Sequence, residues 1–280
     1  MILSSLAFAI MGVCIQICAE TLPNGMVVFF RNVSGLVLLS PILMRGGMKV
    51  LKTNHLKGHV IRGVAGLSAM YCFFYAISHM RLADAVLLNY TLPLFIPLVE
   101  ALWLGEPLPV RLAAPLALGF LGVVVVLRPG SGLVTGAALV GLLAGLLSAV
   151  AQTGVRRLTL TEPTVRIVIY FAIMGSSLSA FALPFVWVTP APSVWLTIVV
   201  LGLSATAGQL LLTKAYSHAP ASQIGGFIYS GVLFAALMDW LRIGLVPSPH
   251  FFAGAVLVMA SGVLMFRLAC RGGPLLIDSE

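Results

Sequence analysis

Charge is what this chain has least of. Lys, Arg, Asp and Glu make up 9% of its 280 residues, and only 8 of these are acidic. Soluble domains carry about 25% charged residues. With 60% apolar residues and a mean hydropathy of +1.09, a soluble fold is excluded. The net charge of +8 does not point to nucleic acid, because no polar domain is left over to hold a basic face. Four cysteines, Cys14, Cys18, Cys72 and Cys270, show no disulfide pattern. Three lie in apolar runs, where a thiol packs as a small hydrophobe. His55 and His59 stand four apart in a basic stretch without carboxylates, so no metal site is expected. No GxxxxGK[ST] loop occurs, which argues against ATP-driven pumping. No Ser, His and acid fall at matching depths, which argues against an intramembrane hydrolase. No cofactor is implied.

What the chain does have is long apolar runs. Ten can be read, at roughly 2–19, 25–44, 59–79, 82–104, 109–127, 133–154, 166–188, 193–214, 219–241 and 250–268. Each is continuously apolar over the length a helix needs to cross a bilayer, rather than alternating as barrel strands do. Short connections with breakers separate them, such as Leu22-Pro23-Asn24-Gly25 and Thr189-Pro190-Ala191-Pro192. Met1-Ile2-Leu3 offers no basic leader, and the first run begins so close to Met1 that a start further upstream is an open expectation.

Orientation follows from the basic residues. Suppose the loop holding Arg45, Lys49, Lys52 and Lys57 is cytoplasmic. Then Arg62, Arg111, Arg156, Arg157, Arg166, Lys214, Arg267 and Arg271 also fall inside, while Arg31, Arg81, Arg128 and Arg242 fall outside. Twelve inside against four outside places both termini in the cytoplasm.

The chain also repeats itself. Ala76–Gly105 aligns without a gap to Ala215–Gly244, a separation of 139 residues. Nine of the thirty positions are identical: Ala76, Ser78, His79, Tyr90, Leu94, Phe95, Leu98, Leu102 and Gly105. Thr91 meets Ser230, and Glu100 meets Asp239. The repeat joins runs 3–5 to runs 8–10, so its unit is five helices. Five is odd, so the second copy enters the membrane upside down. The expected fold is all-α integral membrane, ten transmembrane helices in two inverted five-helix repeats. The first repeat would span 1–130 and the second 131–270, followed by a cytoplasmic tail at 271–280.

The stretch from Phe29 to Pro129 carries a family resemblance. It shows an Arg early in run 2, a "YA" pair closing run 3, a turn to "ADA", "LPLF" in run 4, "LGE" at its end, and "GFLGVVVVLRP" closing the half. This resembles the EamA branch of the drug/metabolite transporter superfamily. Within that branch it is most similar to bacterial S-adenosylmethionine uptake carriers. The resemblance implies ten helices, residence in the bacterial inner membrane and movement of a small organic metabolite. One departure stands out: Leu245 occupies the place of Glu106, so the second copy lacks its "LGE" acid.

Polar residues within the runs are candidates for function, because charge in hydrocarbon costs at least a few kcal/mol. Arg31 lies about six residues into run 2 and could clamp a carboxylate or phosphate. It could equally snorkel toward the interface. Glu100 and Asp239 sit symmetrically near the ends of their runs, as gate or coupling groups or as interface residues. Run 4 holds Asn89, Tyr90, Thr91, Pro93 and Pro97. Each proline removes a backbone donor and can kink the helix, freeing a carbonyl that must find protein or cavity water. This cluster, with Gly225, Gly226, Tyr229 and Ser230 as its mates, is the candidate substrate wall. Packing between helices is the competing account. Tyr71 and Gln209 add polar groups from runs 3 and 8.

These features together point to a secondary-active or facilitative carrier working by alternating access. An amino-acid or S-adenosylmethionine-like solute fits the pattern. Alternatives are a metabolite exporter or, from another class, a membrane-embedded enzyme or lipid-handling protein. Expected partners are a small-molecule substrate and the lipid bilayer, with a second copy of the chain as a candidate.

Overall fold

The computed structural model describes residues 1–47, 51–104, 110–127, 136–218, 229–244 and 247–271, except for the side chains of residues 46, 100, 101, 103, 104, 127, 266 and 269–271. The expected acid Glu100 therefore has a described backbone only. Gly225, Gly226, Glu106 and the tail beyond 271 lie outside the described residues.

Helix is the only regular secondary structure among the described residues, with no strand. The helices are α1 (Ile2–Ala19), α2 (Asn24–Gly46), α3 (Leu56–His79), α4 (Leu82–Asn89), α5 (Leu92–Leu104), α6 (Ala113–Leu127), α7 (Gly136–Leu158), α8 (Thr164–Ala180), the single turn α9 (Leu183–Val186), α10 (Trp195–His218), α11 (Ser230–Ile243) and α12 (Pro249–Arg271). Among the described residues, six segments are long and apolar enough to cross a membrane by length and composition, α4 and α5 together supplying one of them. Leu3, Val37, Phe185, Leu196 and Val199 stay exposed. Such an apolar exterior suits lipid and not water.

The sequence repeat has a structural counterpart. α3 packs on α7, and its mate α10 packs on α1. α2 packs on α10 and α8 on α3; α4–α5 packs on α7 and α11 on α1. The pairs α2–α8 and α6–α12 map onto themselves. The principal pairings thus survive exchange of the two halves, as a pseudo-two-fold axis requires. Where α6 meets α12, Gly122 and Gly254 approach each other closely. A Cβ on Gly122 would stand 2.9 Å from the Gly254 carbonyl oxygen, and one on Gly254 would stand 2.8 Å from that of Gly122. Only glycine permits so close an approach.

Local chemistry repeats as well. Pro23 and Pro163 precede α2 and α8 in near-identical extended geometry, φ −59° and −64°, ψ 146° and 142°. Proline fits just before or within a first turn because its missing N–H would be unpaired there anyway. At the ends of α3 and α10, Ser78-His79 and Ser217-His218 cap alike. Each histidine Nδ1 lies against the carbonyl four residues back, at 2.8 and 2.9 Å. The identities shared at these positions therefore cap helix ends.

Candidate functional site

The fourth crossing is broken in two. Pro93 has no N–H to offer the Asn89 carbonyl, so the ladder stops at Tyr90–Thr91 and resumes as α5. Thr91 bridges the gap by donating its hydroxyl to the Leu88 carbonyl at 2.6 Å. Gly145 of α7 lets this turn sit close. A Cβ there would stand 2.6 Å from Thr91 Oγ1 and 2.9 Å from the Leu88 carbonyl oxygen. Pro97 lies inside α5, one turn further on. The sequence expectation of a kink at these prolines meets a full break, located just before Pro93.

The break opens beside a cavity of about 150 Å³ between the two halves. α1 contributes Ser4, Ser5 and Phe8, α2 contributes Arg31, and α3 contributes Arg62, Gly66, Met70 and Phe74. Asn89 and Tyr90 come from the break, Ser148 and Gln152 from α7, Phe171 from α8, Gln209 from α10 and Gly231 from α11. On α1 the lining runs from Met1 only as far as Met11. The cavity therefore lies toward the end of the bundle where α1 and α3 begin and α7 and α10 finish.

Four of the eight candidate binding residues meet in this cavity: Arg31, Asn89, Tyr90 and Gln209. Asn89 Oδ1 accepts from the Ser148 hydroxyl at 2.9 Å, tying the break to α7. Gln209 is buried, with Nε2 at 3.5 Å from Thr213 Oγ1. The other four stand elsewhere. Thr91 is fully buried in the turn. Tyr229 is buried against Gly262, its hydroxyl without a partner among the described residues. Ser230 opens α11. Tyr71 is half-buried, and its carbonyl accepts from the Asn24 side chain at 3.0 Å.

Arg62 was not singled out in the sequence, where it counted only toward orientation. It lies six residues into α3 and is 4% exposed; Arg31 is 6% exposed. Both guanidinium carbons stand against the Phe171 ring, Arg31 at 5.2 Å from its centre and Arg62 at 3.6 Å. Arg31 donates to Asn32 Oδ1 at 3.0 Å. Its Nε, and Nε and Nη1 of Arg62, have no partner among the described residues. The signal for Arg62 was present: a basic residue inside an apolar run, the criterion already applied to Arg31.

Polar contacts tie helices together at both ends of the bundle. At the far end Asp239, 3% exposed, accepts from the Ala83 backbone N–H at 2.8 Å and caps α4 from the opposite half. Arg242 donates there to Glu20 at 2.7 Å and Gln16 at 2.8 Å. At the near end Glu162 accepts from Thr53 and, at 2.5 Å, from Arg166, while the Tyr170 hydroxyl donates to the Leu51 carbonyl at 2.6 Å. Burial alone would raise the Glu162 pKa. The Thr53 hydroxyl and Arg166 guanidinium outweigh it and hold the carboxyl below its ordinary value. No group of three or more His, Cys, Asp or Glu that could hold a metal occurs among the described residues.

The chain matches the EamA-like transporter family twice, over residues 1–128 and 135–267. It belongs to that family. It is 33% identical to the pseudopaline exporter of Pseudomonas aeruginosa, over 95% of this chain and 94% of that one. It is 28% identical to a riboflavin transporter of Brucella anthropi, covering 88% and 89%. It is 24% identical to an S-adenosylmethionine uptake transporter of Rickettsia bellii, covering 83% and 80%. A solved crystal structure shares the fold at a TM-score of 0.67 and 22% identity, over 96% of this chain and 97% of that one. This EamA protein is thus a multi-pass membrane transporter for a small molecule, not an enzyme.

Proposed function

We propose that the protein carries a small organic metabolite across the bacterial inner membrane by alternating access, as a secondary-active or facilitative carrier with both termini in the cytoplasm. The observation that carries this reading is the cavity at the broken fourth crossing, whose polar groups come from both halves. Asn89 and Tyr90 of the first half and Gln209 of the second take the substrate-binding roles. The two family matches support a division into halves near residue 130. The cavity extends toward the end that the positive-inside rule makes cytoplasmic, and Asp239 seals the other end, so this arrangement corresponds to the inward-facing state. Exchanging the roles of the halves gives the outward-facing one.

Export is a second reading of direction. It is favoured by the 33% identity to the pseudopaline exporter over nearly the full length of both chains. Counterflow in proteoliposomes tests carriage. Preloaded unlabelled solute should accelerate entry of its labelled form with saturation. Flux without counterflow stimulation would indicate a channel, and chemical alteration of the solute would indicate an enzyme.

A further inference from the structure

Two guanidinium groups share the cavity, more than nine-tenths buried, and no carboxylate among the described residues pairs with either. Like charges held together at membrane depth are unfavourable, so such residues face a polar partner or mark a ligand path. Phe171 compensates them in part. A cation on a ring face is stabilised, and stacking occupies the flat face of the guanidinium while leaving its N–H edge free. The Nε atoms of both arginines and Nη1 of Arg62 lack an acceptor among the described residues, although a buried donor is normally paired. Both groups lean on one ring, at 5.2 and 3.6 Å from its centre, which puts them within reach of one small anion.

We propose that Arg31 and Arg62 form a two-armed clamp, and that the transported solute carries a carboxylate or phosphate group that docks between them. The inference rests on the carrier reading above and narrows its substrate class. Planar guanidinium forks match the paired oxygens of either group. Phe8, Phe74 and Tyr90 line the remainder of the cavity and suit an apolar or flat body on the same solute. Gln152 Oε1 has no partner among the described residues either and offers an acceptor to a donor on that body. Gly66 keeps the clamp open. A Cβ there would stand 3.1 Å from Arg62 Nη1 and 3.0 Å from Phe171 Cε2.

The test is thermal stabilisation of the full-length protein in detergent by benzoate and by phenyl phosphate, with benzamide and phenol as uncharged counterparts. The two anions separate a carboxylate ligand from a phosphate ligand. At least one should raise the melting temperature where its neutral counterpart does not. Arg62→Gln and Arg31→Gln should each weaken that anion by about thirty-fold or more, the scale for truncating one arm of a buried charged pair. Gly66→Ala should weaken it with both charges retained. If neither anion stabilises the wild type, or if Arg62→Gln binds it unchanged, the clamp is wrong. Arg62→Gln should also melt no lower than wild type without ligand, because it removes an uncompensated charge; a loss of stability would make Arg62 a packing residue on Phe171. Counterflow of neutral solutes alone would leave carriage standing and remove the clamp. Anion binding without counterflow would do the reverse.

Discussion

Replacing Asp239 with Ala should tilt the carrier toward its outward-open state. The carboxylate is 3% exposed and accepts from the Ala83 N–H at 2.8 Å, in the first turn of α4. Its negative charge meets the positive end of that helix. A hydrogen bond to a charged group contributes about 1.5–3 kcal/mol net. The contact joins α11 to α4 across the two halves, at the end away from the cavity, so it can form only while that end is closed. Removing about 2 kcal/mol from one state alone shifts the equilibrium about thirty-fold toward the other. Asp239→Asn keeps an acceptor and loses the charge, so its shift should be several-fold smaller.

The assay is a spin–spin distance measurement between labels at Arg81→Cys and Leu241→Cys, both exposed near this contact, with Cys14, Cys18, Cys72 and Cys270 replaced. The longer-distance population should grow in the order wild type, Asp239→Asn, Asp239→Ala. An unchanged distribution in a folded Asp239→Ala protein would refute the gate and leave Asp239 as a helix cap alone.

Gly145→Ala should destabilise the bundle by about 1–3 kcal/mol, the usual cost of overpacking, because its Cβ meets Thr91 Oγ1 at 2.6 Å and the Leu88 carbonyl oxygen; a melting scan and membrane yield check it. Gln209→Ala and Tyr90→Ala should each lower counterflow rate without lowering membrane expression, and unchanged kinetics would remove that residue from the site. Glu162 should make the near end acid-sensitive. Its folded pKa lies below the ordinary 4.5, so its contribution is complete above that value and disappears as pH falls through the depressed one; melting temperature against pH should fall more steeply on the acid side for wild type than for Glu162→Gln.

The fold was legible because hydropathy reports it directly. Runs of apolar residues become crossings wherever lipid is the solvent, and a repeat across an odd number of them dictates inversion. The site was less legible, and Tyr90 and Tyr229 show why. They are repeat mates, yet Tyr90 lines the cavity and Tyr229 packs on Gly262. The sequence repeat equates positions, but a carrier caught open to one side places equivalent residues in different surroundings. Arg62 was missed for another reason. Positive-inside counting assigns a basic residue near a run's start to the interface, whereas six residues into a helix is already more than one and a half turns deep, about 9 Å. The Thr91 hydroxyl serves its own backbone, a use that composition alone does not separate from ligand binding.

The two arginines also break the symmetry that the rest of the bundle keeps. Both belong to the first half, on α2 and α3, while Phe171 belongs to the second, on α8. Any rocking of one half against the other must therefore slide the ring along the guanidinium groups. With no anion bound, the ring is their main compensation, and moving it exposes unpaired charge. An anion between the arginines would remove that barrier by supplying the compensation itself. Bound solute would then lower the barrier to the exchange of states, the property that separates a carrier from a leak. Phe171→Leu keeps an apolar body of reduced size and removes the ring face. With no ring compensation left to lose on rocking, it should speed return of the empty carrier relative to the loaded one, so the ratio of counterflow to net flux should fall. A ratio equal to that of wild type, in a protein that still binds anion, would show that Phe171 is only a wall.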